Sequence, residues 1–286
     1  MIPATSGGAI GLSRLWLWMS LVAAIVAAGG SVIGLLATDR IYGQETDILA
    51  DAAAAQDFVN LIVVAPLVVV LGILASRGSM IAYLCWLGCL VFTAYNYAIY
   101  AFSIHFGPLF LPWIAVLGLS VFALIGGLAT LDSPAVKNRF AGRVLPPTAW
   151  ALITLAALFA FLWLSEIVPD LMAGGASRSA SDWRIPTNPV HVLDLAFFLP
   201  AVFASGVMLL RGHPFGYATG PGQLVFLALT CLPIVVTPVV ANARGHDVGW
   251  AVVPPVGILF VVTLAVLWRT LRGVKSTRTA ESGSIR

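Results

Sequence analysis

Gln56-Asp57-Phe58-Val59-Asn60-Leu61 and Val190-His191-Val192-Leu193-Asp194-Leu195 each open an apolar run, and the two runs lie in register at an offset of 134 residues. In that frame Leu61, Pro66, Val68, Gly72, Arg77, Gly78, Tyr83 and Gly88 meet Leu195, Pro200, Val202, Gly206, Arg211, Gly212, Tyr217 and Gly222. Five of these eight matches are Gly, Pro or Arg, which apolar composition alone does not align. Upstream, Trp16, Leu21, Ser31 and Ile33 pair with Trp150, Leu155, Ser165 and Ile167 without a gap. A self-match of this length reads as a duplicated unit.

The repeated unit is a membrane unit. The 286 residues are 60% hydrophobic and 9% charged, with a mean hydropathy of +0.98. That leaves too little charge to cover a soluble surface. A hydrocarbon core about 30 Å thick takes about 20 apolar residues per helix. Eight stretches qualify: 15–37, 57–76, 79–102, 109–131, 147–168, 190–210, 222–241 and 249–270. All eight are expected as helices, because lipid offers no partner to an unpaired backbone group. The first run is long for a signal core, lacks a clear cleavage site and aligns with an internal stretch, so it is expected to be retained.

Four helices per unit make the repeats parallel, related by an axis along the membrane normal. The expected organisation is a first four-helix repeat over 1–131, a linker over 132–146, a second repeat over 147–271 and a basic tail over 272–286. Eleven of the fifteen Lys and Arg fall on the side of the two termini, leaving Arg40, Arg178, Arg184 and Arg244 opposite. Positive residues mark the cytoplasm, so both termini are expected inside a cytoplasmic membrane, with 38–56 and 169–189 outside. The acidic loop 38–56 carries an alanine run, Ala52 to Ala55, that can carry the second helix outward. In the other loop, Asn188-Pro189 reads as a helix start. The tail from Ser276 onward is polar and expected to be disordered.

Depth sorts the polar residues. Counting about 1.5 Å per residue from Arg77 and Arg211, Asn60 and Asp194 sit about 25 Å up, with Asp57 and His191 one turn further out. Spacings of three place Asp57 with Asn60, and His191 with Asp194, on one face of their helices. Asn96 and Glu166 reach similar heights. Ionisable groups within a membrane segment are costly unless paired or hydrated, and point to function. Asp57, Asn60, Asn96, Glu166, His191 and Asp194 are therefore expected to line one outward-opening polar cavity, Asp194 being its critical member. Tyr95, Tyr97 and Tyr100 read as an interfacial aromatic belt. Pro66 and Pro200 are expected to kink their helices.

Other chemistry finds little support. The chain has no HExxH and no close histidine cluster, so no metal site is expected. It also lacks GxSxG, Walker and dinucleotide fingerprints, which leaves no legible cofactor and no ATP-driven step. Cys85, Cys89 and Cys231 fall inside predicted spans and read as small packing residues. The partners implied are the lipid bilayer and a small polar solute or proton; nucleic acid is not implied.

Eight helices in two parallel four-helix halves resemble the architecture of haem A synthase. The residues do not follow, since that family carries haem-ligand histidines inside helices of both halves, and here Asp57 stands opposite His191. The sequence thus supports a polytopic membrane protein. Its function reads first as a small-solute or proton-coupled transporter, and alternatively as an outer-leaflet binding or sensory module or a membrane-embedded enzyme.

Overall fold

A computed structural model describes residues 13–140 and 143–274. The amino-terminal residues 1–12 and the tail from Lys275 onward lie outside the described residues. The described chain is all-helical, and eight helices are long and apolar enough to cross a membrane. They are α1 (Arg14–Leu36), α2 (Asp47–Ser76), α3 (Met80–Ser103), α4 (Phe110–Ala129), α5 (Pro146–Met172), α6 (Pro189–Leu210), α7 (Pro214–Ala243) and α8 (Trp250–Leu271).

Helix starts follow local chemistry. Ser13, Thr46, Ser79, Asn188 and His213 each turn a side-chain acceptor to a free amide of the first turn, which is the N-cap role. Thr46 explains why α2 begins ten residues before the apolar run at 57. Its extra turns carry the alanine run, and Ala53, Ala54 and Ala55 are all buried. Similarly, α7 begins at Pro214, because Pro214 occupies the first turn, where a missing N–H costs nothing.

Just before each proline, α2 and α6 contain π-helical segments, at Asn60–Val64 and Asp194–Phe198. The Ala65 amide reaches back to the Asn60 carbonyl, and the Leu199 amide to that of Asp194. Pro66 and Pro200 follow immediately and cannot donate. The Leu61 and Leu195 carbonyls, next in line, therefore have no proline N–H to accept. Both helices then end alike: Gly78 at φ +92° and Gly212 at φ +64° reverse the chain, and the following Ser79 and His213 amides close on the Leu74 and Met208 carbonyls.

In the first half α1 packs on α2 and α4, and α3 packs on the same pair. In the second, α6 packs on α5 and α7, and α7 on α8. Helix α3 is buried along almost its whole length, whereas α5 and α8 bury few of their apolar residues. The halves meet where α3 crosses α7. A Cβ on Gly222 would stand 3.3 Å from the Gly88 amide nitrogen, and one on Gly88 would strike the Gly222 carbonyl. Such small residues let helices approach closely in lipid, where apolar burial gives little drive to associate.

Residues 13 and 274 mark one end of the bundle, here the near end. The short helix Ser133–Arg139 covers it, with the Lys137 Nζ donating to the Gly212 carbonyl at 2.7 Å and Phe140 packed on Tyr217 at 5.4 Å between ring centroids. The far end carries the connections 37–46, 104–109, 173–188 and 244–249. All three cysteines are buried and free.

Candidate functional site

Toward the far end, two polar clusters flank α3. In the first, Asp57 of α2 is 2% exposed. Its Oδ2 accepts from the Tyr42 hydroxyl at 2.6 Å, and its Oδ1 lies 3.0 Å from the Tyr100 hydroxyl, which also reaches the Ala53 carbonyl at 3.0 Å. Tyr42 belongs to the connection between α1 and α2. Burial first, and then the adjacent Asp57 carboxylate, pushes its phenol well above the ordinary range, so it remains a donor. Gly34 of α1 makes the room, since a Cβ there would collide with Asp57 Oδ2. Tyr97 and Trp113 complete the wall around Tyr100.

One turn below, Asn60 Oδ1 accepts from Gln56 Nε2 at 3.1 Å and Asn96 Nδ2 at 3.3 Å. Among the described residues Asn60 Nδ2 has no hydrogen-bond partner, nor has Ser120 Oγ. Both residues line a cavity of about 10 Å³ between α1, α2, α3 and α4. That is room for about one water molecule. Its remaining wall is mostly alanine and valine, so it is no solute path.

The second cluster belongs to α5 and α6. The Trp163 indole N–H donates to Asp194 Oδ2 at 2.7 Å. Tyr95 of α3 faces the same carboxylate and is held edge-on by Phe198 and Phe226. The Trp163 ring also lies 4.7 Å from that of His191. His191 is 7% exposed; its Nε2 lacks a hydrogen-bond partner and points at Glu166 Oε2, 3.9 Å away. Glu166 Oε1 accepts from the Ser179 amide at 3.3 Å, while Asp170 holds Arg178 at 3.1 Å. Between α5 and the short helix Arg178–Trp183 opens a pocket of about 410 Å³, lined by Leu162, Trp163, Glu166, Ser179 and Asp182 among others. It opens at the far end.

A third group ties the halves together at the far end. Asp51 is 3% exposed and meets His246 Nδ1 at 2.7 Å and Arg244 Nε at 3.4 Å, while Arg244 also reaches Asp39 at 3.4 Å. Glu45 pairs with His105 at 2.9 Å. Breaking a buried ion pair of the Asp51 kind costs about 3–5 kcal/mol in general, so this group reads as a fastening.

The six residues singled out from sequence thus fall into two sets. Asp57, Asn60 and Asn96 lie on one flank of α3, and Glu166, His191 and Asp194 on the other. Among the described residues no hydrogen bond joins the sets, and Tyr95 and Asn96, neighbours on α3, each serve a different one. Sequence reasoning missed Tyr42, Gln56 and Trp163. It also placed the tyrosines in an interfacial aromatic belt, whereas Tyr95, Tyr97 and Tyr100 are 5%, 3% and 3% exposed. Set beside known proteins, the chain matches no family model, no curated protein and no solved structure.

Proposed function

We propose that the chain is a cytoplasmic-membrane protein with both termini inside, and that it binds a small polar group from the outside at Glu166, with His191 behind it. The observation that carries this reading is the His191 Nε2, buried, without a partner and aimed at a carboxylate that lines an outward-opening pocket. Trp163 connects that pocket to Asp194 by packing its ring against His191 and donating its N–H to Asp194. Asp194 then responds to occupancy without contacting the ligand.

The repeat belongs to the same proposal. The π segments at 60–64 and 194–198 and the glycine turns at 78 and 212 recur at the sequence offset. Gly88 and Gly222, partners at that offset, touch each other, as residues beside a twofold axis do. Orientation rests on the distribution of Lys and Arg.

The pocket is tested with Ser165→Cys and a water-soluble maleimide added to intact cells. Ser165 lines the pocket and Phe161, one turn away, is 72% exposed on the apolar surface. The Ser165→Cys thiol is expected to react and a Phe161→Cys control to remain silent. An unreactive thiol at position 165 would remove the water-filled pocket and the proposal with it.

A second reading, a small-solute or proton-coupled transporter, is favoured by the paired π segments, which interrupt the regular helix of α2 and α6 at matching heights. Proton flux into proteoliposomes that Asp194→Asn abolishes would select this reading over a binding module. Wild-type protein without flux would select the binding module.

A further inference from the structure

The small cavity inside the first half has a chemistry separate from that of the pocket beside Glu166. Gln56 Nε2 and Asn96 Nδ2 both donate to Asn60 Oδ1, which fixes the Asn60 carboxamide and leaves its Nδ2 as a donor for another partner. Asn60 and Ser120 are 2% and 0% exposed and both line the cavity, yet among the described residues neither Asn60 Nδ2 nor Ser120 Oγ has a partner. A buried polar atom left without a hydrogen bond is costly. Cavities that stay dry are lined by apolar atoms, and this wall is not.

Two further hydroxyl residues line the same space. Ser20 Oγ donates to the Leu17 carbonyl at 2.8 Å and accepts from the Trp86 indole at 3.2 Å, while Thr93 Oγ1 donates to the Cys89 carbonyl at 2.8 Å. A hydroxyl oxygen has two lone pairs, so both keep capacity to accept. The occupant that fits must accept from Asn60, donate to hydroxyl oxygens and fill about 10 Å³. A cation is disfavoured by the Asn60 N–H group and by a wall without a carboxylate. An anion would exchange its hydration for one amide and one free hydroxyl among alanine, valine and leucine, which is too little.

We infer that the cavity holds one resident water molecule, which accepts from Asn60 Nδ2, bonds Ser120 Oγ and so bridges α2 to α4 through the inside of the first half. It lies against the wide turn of α2, since Asn60 and Val64 open and close the π segment, Ala65 follows it, and all three line the cavity. The second half has no equivalent site. At the offset of 134 residues Val64, Ala65, Thr93 and Ser120 give way to Phe198, Leu199, Leu227 and Pro254, and Phe198 stacks on Phe226 at 5.2 Å between ring centroids. The wide turn of α6 is thus packed with aromatic rings where that of α2 is hydrated.

The test uses the full chain in lipid bilayers with isotope-labelled side-chain amides. Water-edited solid-state NMR is expected to transfer magnetisation from water to the Asn60 side-chain amide, which is buried from bulk solvent. Ser120→Ala gives a second measurement in which the two possibilities have opposite signs. With the water in place the substitution removes one of its partners, and Tm should fall by roughly 2–4 °C, as for about one lost hydrogen bond in a large domain. In a dry cavity the same substitution removes an unpaired hydroxyl and raises Tm. Absence of transfer to the Asn60 amide overturns the inference. A Ser120→Ala protein that melts at or above the wild-type temperature overturns the bridge to α4. If Ser120→Ala does not fold, the wild-type spectrum decides.

Discussion

A Cβ on Gly34 would take the space of Asp57 Oδ2 and come within 3.0 Å of the Tyr42 hydroxyl, while one on Gly30, a single turn earlier, would meet nothing within 4 Å. The two glycines look alike in sequence, and the packing separates them. Gly34→Ala is expected to displace the buried carboxylate from its phenol donors and lower stability by about 1–3 kcal/mol, the cost of an unsatisfied buried group. Gly30→Ala should be neutral or slightly stabilising, since Ala is the better helix former. Thermal unfolding of both variants in one detergent checks the contrast. Trp163 permits a parallel comparison: Trp163→Phe keeps an aromatic ring beside His191 and deletes the 2.7 Å donor to Asp194. A loss of about 1.5–3 kcal/mol is expected, as for hydrogen bonds to charged groups, and no change would show that Tyr95 alone suffices for the carboxylate. The acids and His191 were legible in the sequence because charge at membrane depth is rare. Their aromatic donors were not: a tyrosine facing lipid headgroups and one facing a buried carboxylate present the same letter, and helices apolar on every side offer no periodicity to tell the faces apart.

At the scale of elements, the π segments set where the polar residues point. Each residue turns an α-helix by about 100°, so one extra residue in a wide turn rotates everything above it by that angle relative to the part below. In α6 the segment Asp194–Phe198 separates His191 and Asp194, which face α5, from the lower half that packs against α5 and α7. Deleting Ala196 should close the wide turn and swing Asp194 away from Trp163, with loss of the site although no polar residue is removed. Pro200→Ala leaves the extra residue in place and should keep the site. Maleimide labelling through Ser165→Cys and thermal unfolding, measured in both backgrounds, separate the two outcomes. The sequence announced an irregularity through its prolines and announced the start of α6 through Asn188 and Pro189. It could not show the form of the irregularity, because a uniformly apolar run has no phase in which an inserted residue becomes visible. The strongly apolar part of α2 starts at 57, and the alanine run before it, read as able to carry the helix outward, does so from Asp47.

Across the whole molecule the polar groups are distributed unevenly from end to end. The far end holds the Asp51–His246–Arg244 fastening, the Asp57 cluster and the pocket, whereas the crossing of α3 and α7 below them is sealed by Gly88 against Gly222 and by Tyr95, Phe198 and Phe226. A protein built this way works from one face, and which face it is depends on charge. Lys137, Arg143 and Arg211 gather at the near end beside few acids, and the far end's Arg178 and Arg244 are both held by aspartates. Lys and Arg are retained on the cytoplasmic side, and those of the near end outnumber those of the far end eleven to four, so the near end should be cytoplasmic. Ser181 and Asn138 are exposed at the far and near ends respectively, and the three native cysteines are buried, which keeps background labelling low. Ser181→Cys should react with a membrane-impermeant maleimide in intact cells, and Asn138→Cys only after the membrane is opened. The reverse pattern would turn the pocket toward the cytoplasm and would leave the geometry of Glu166 and His191 unchanged.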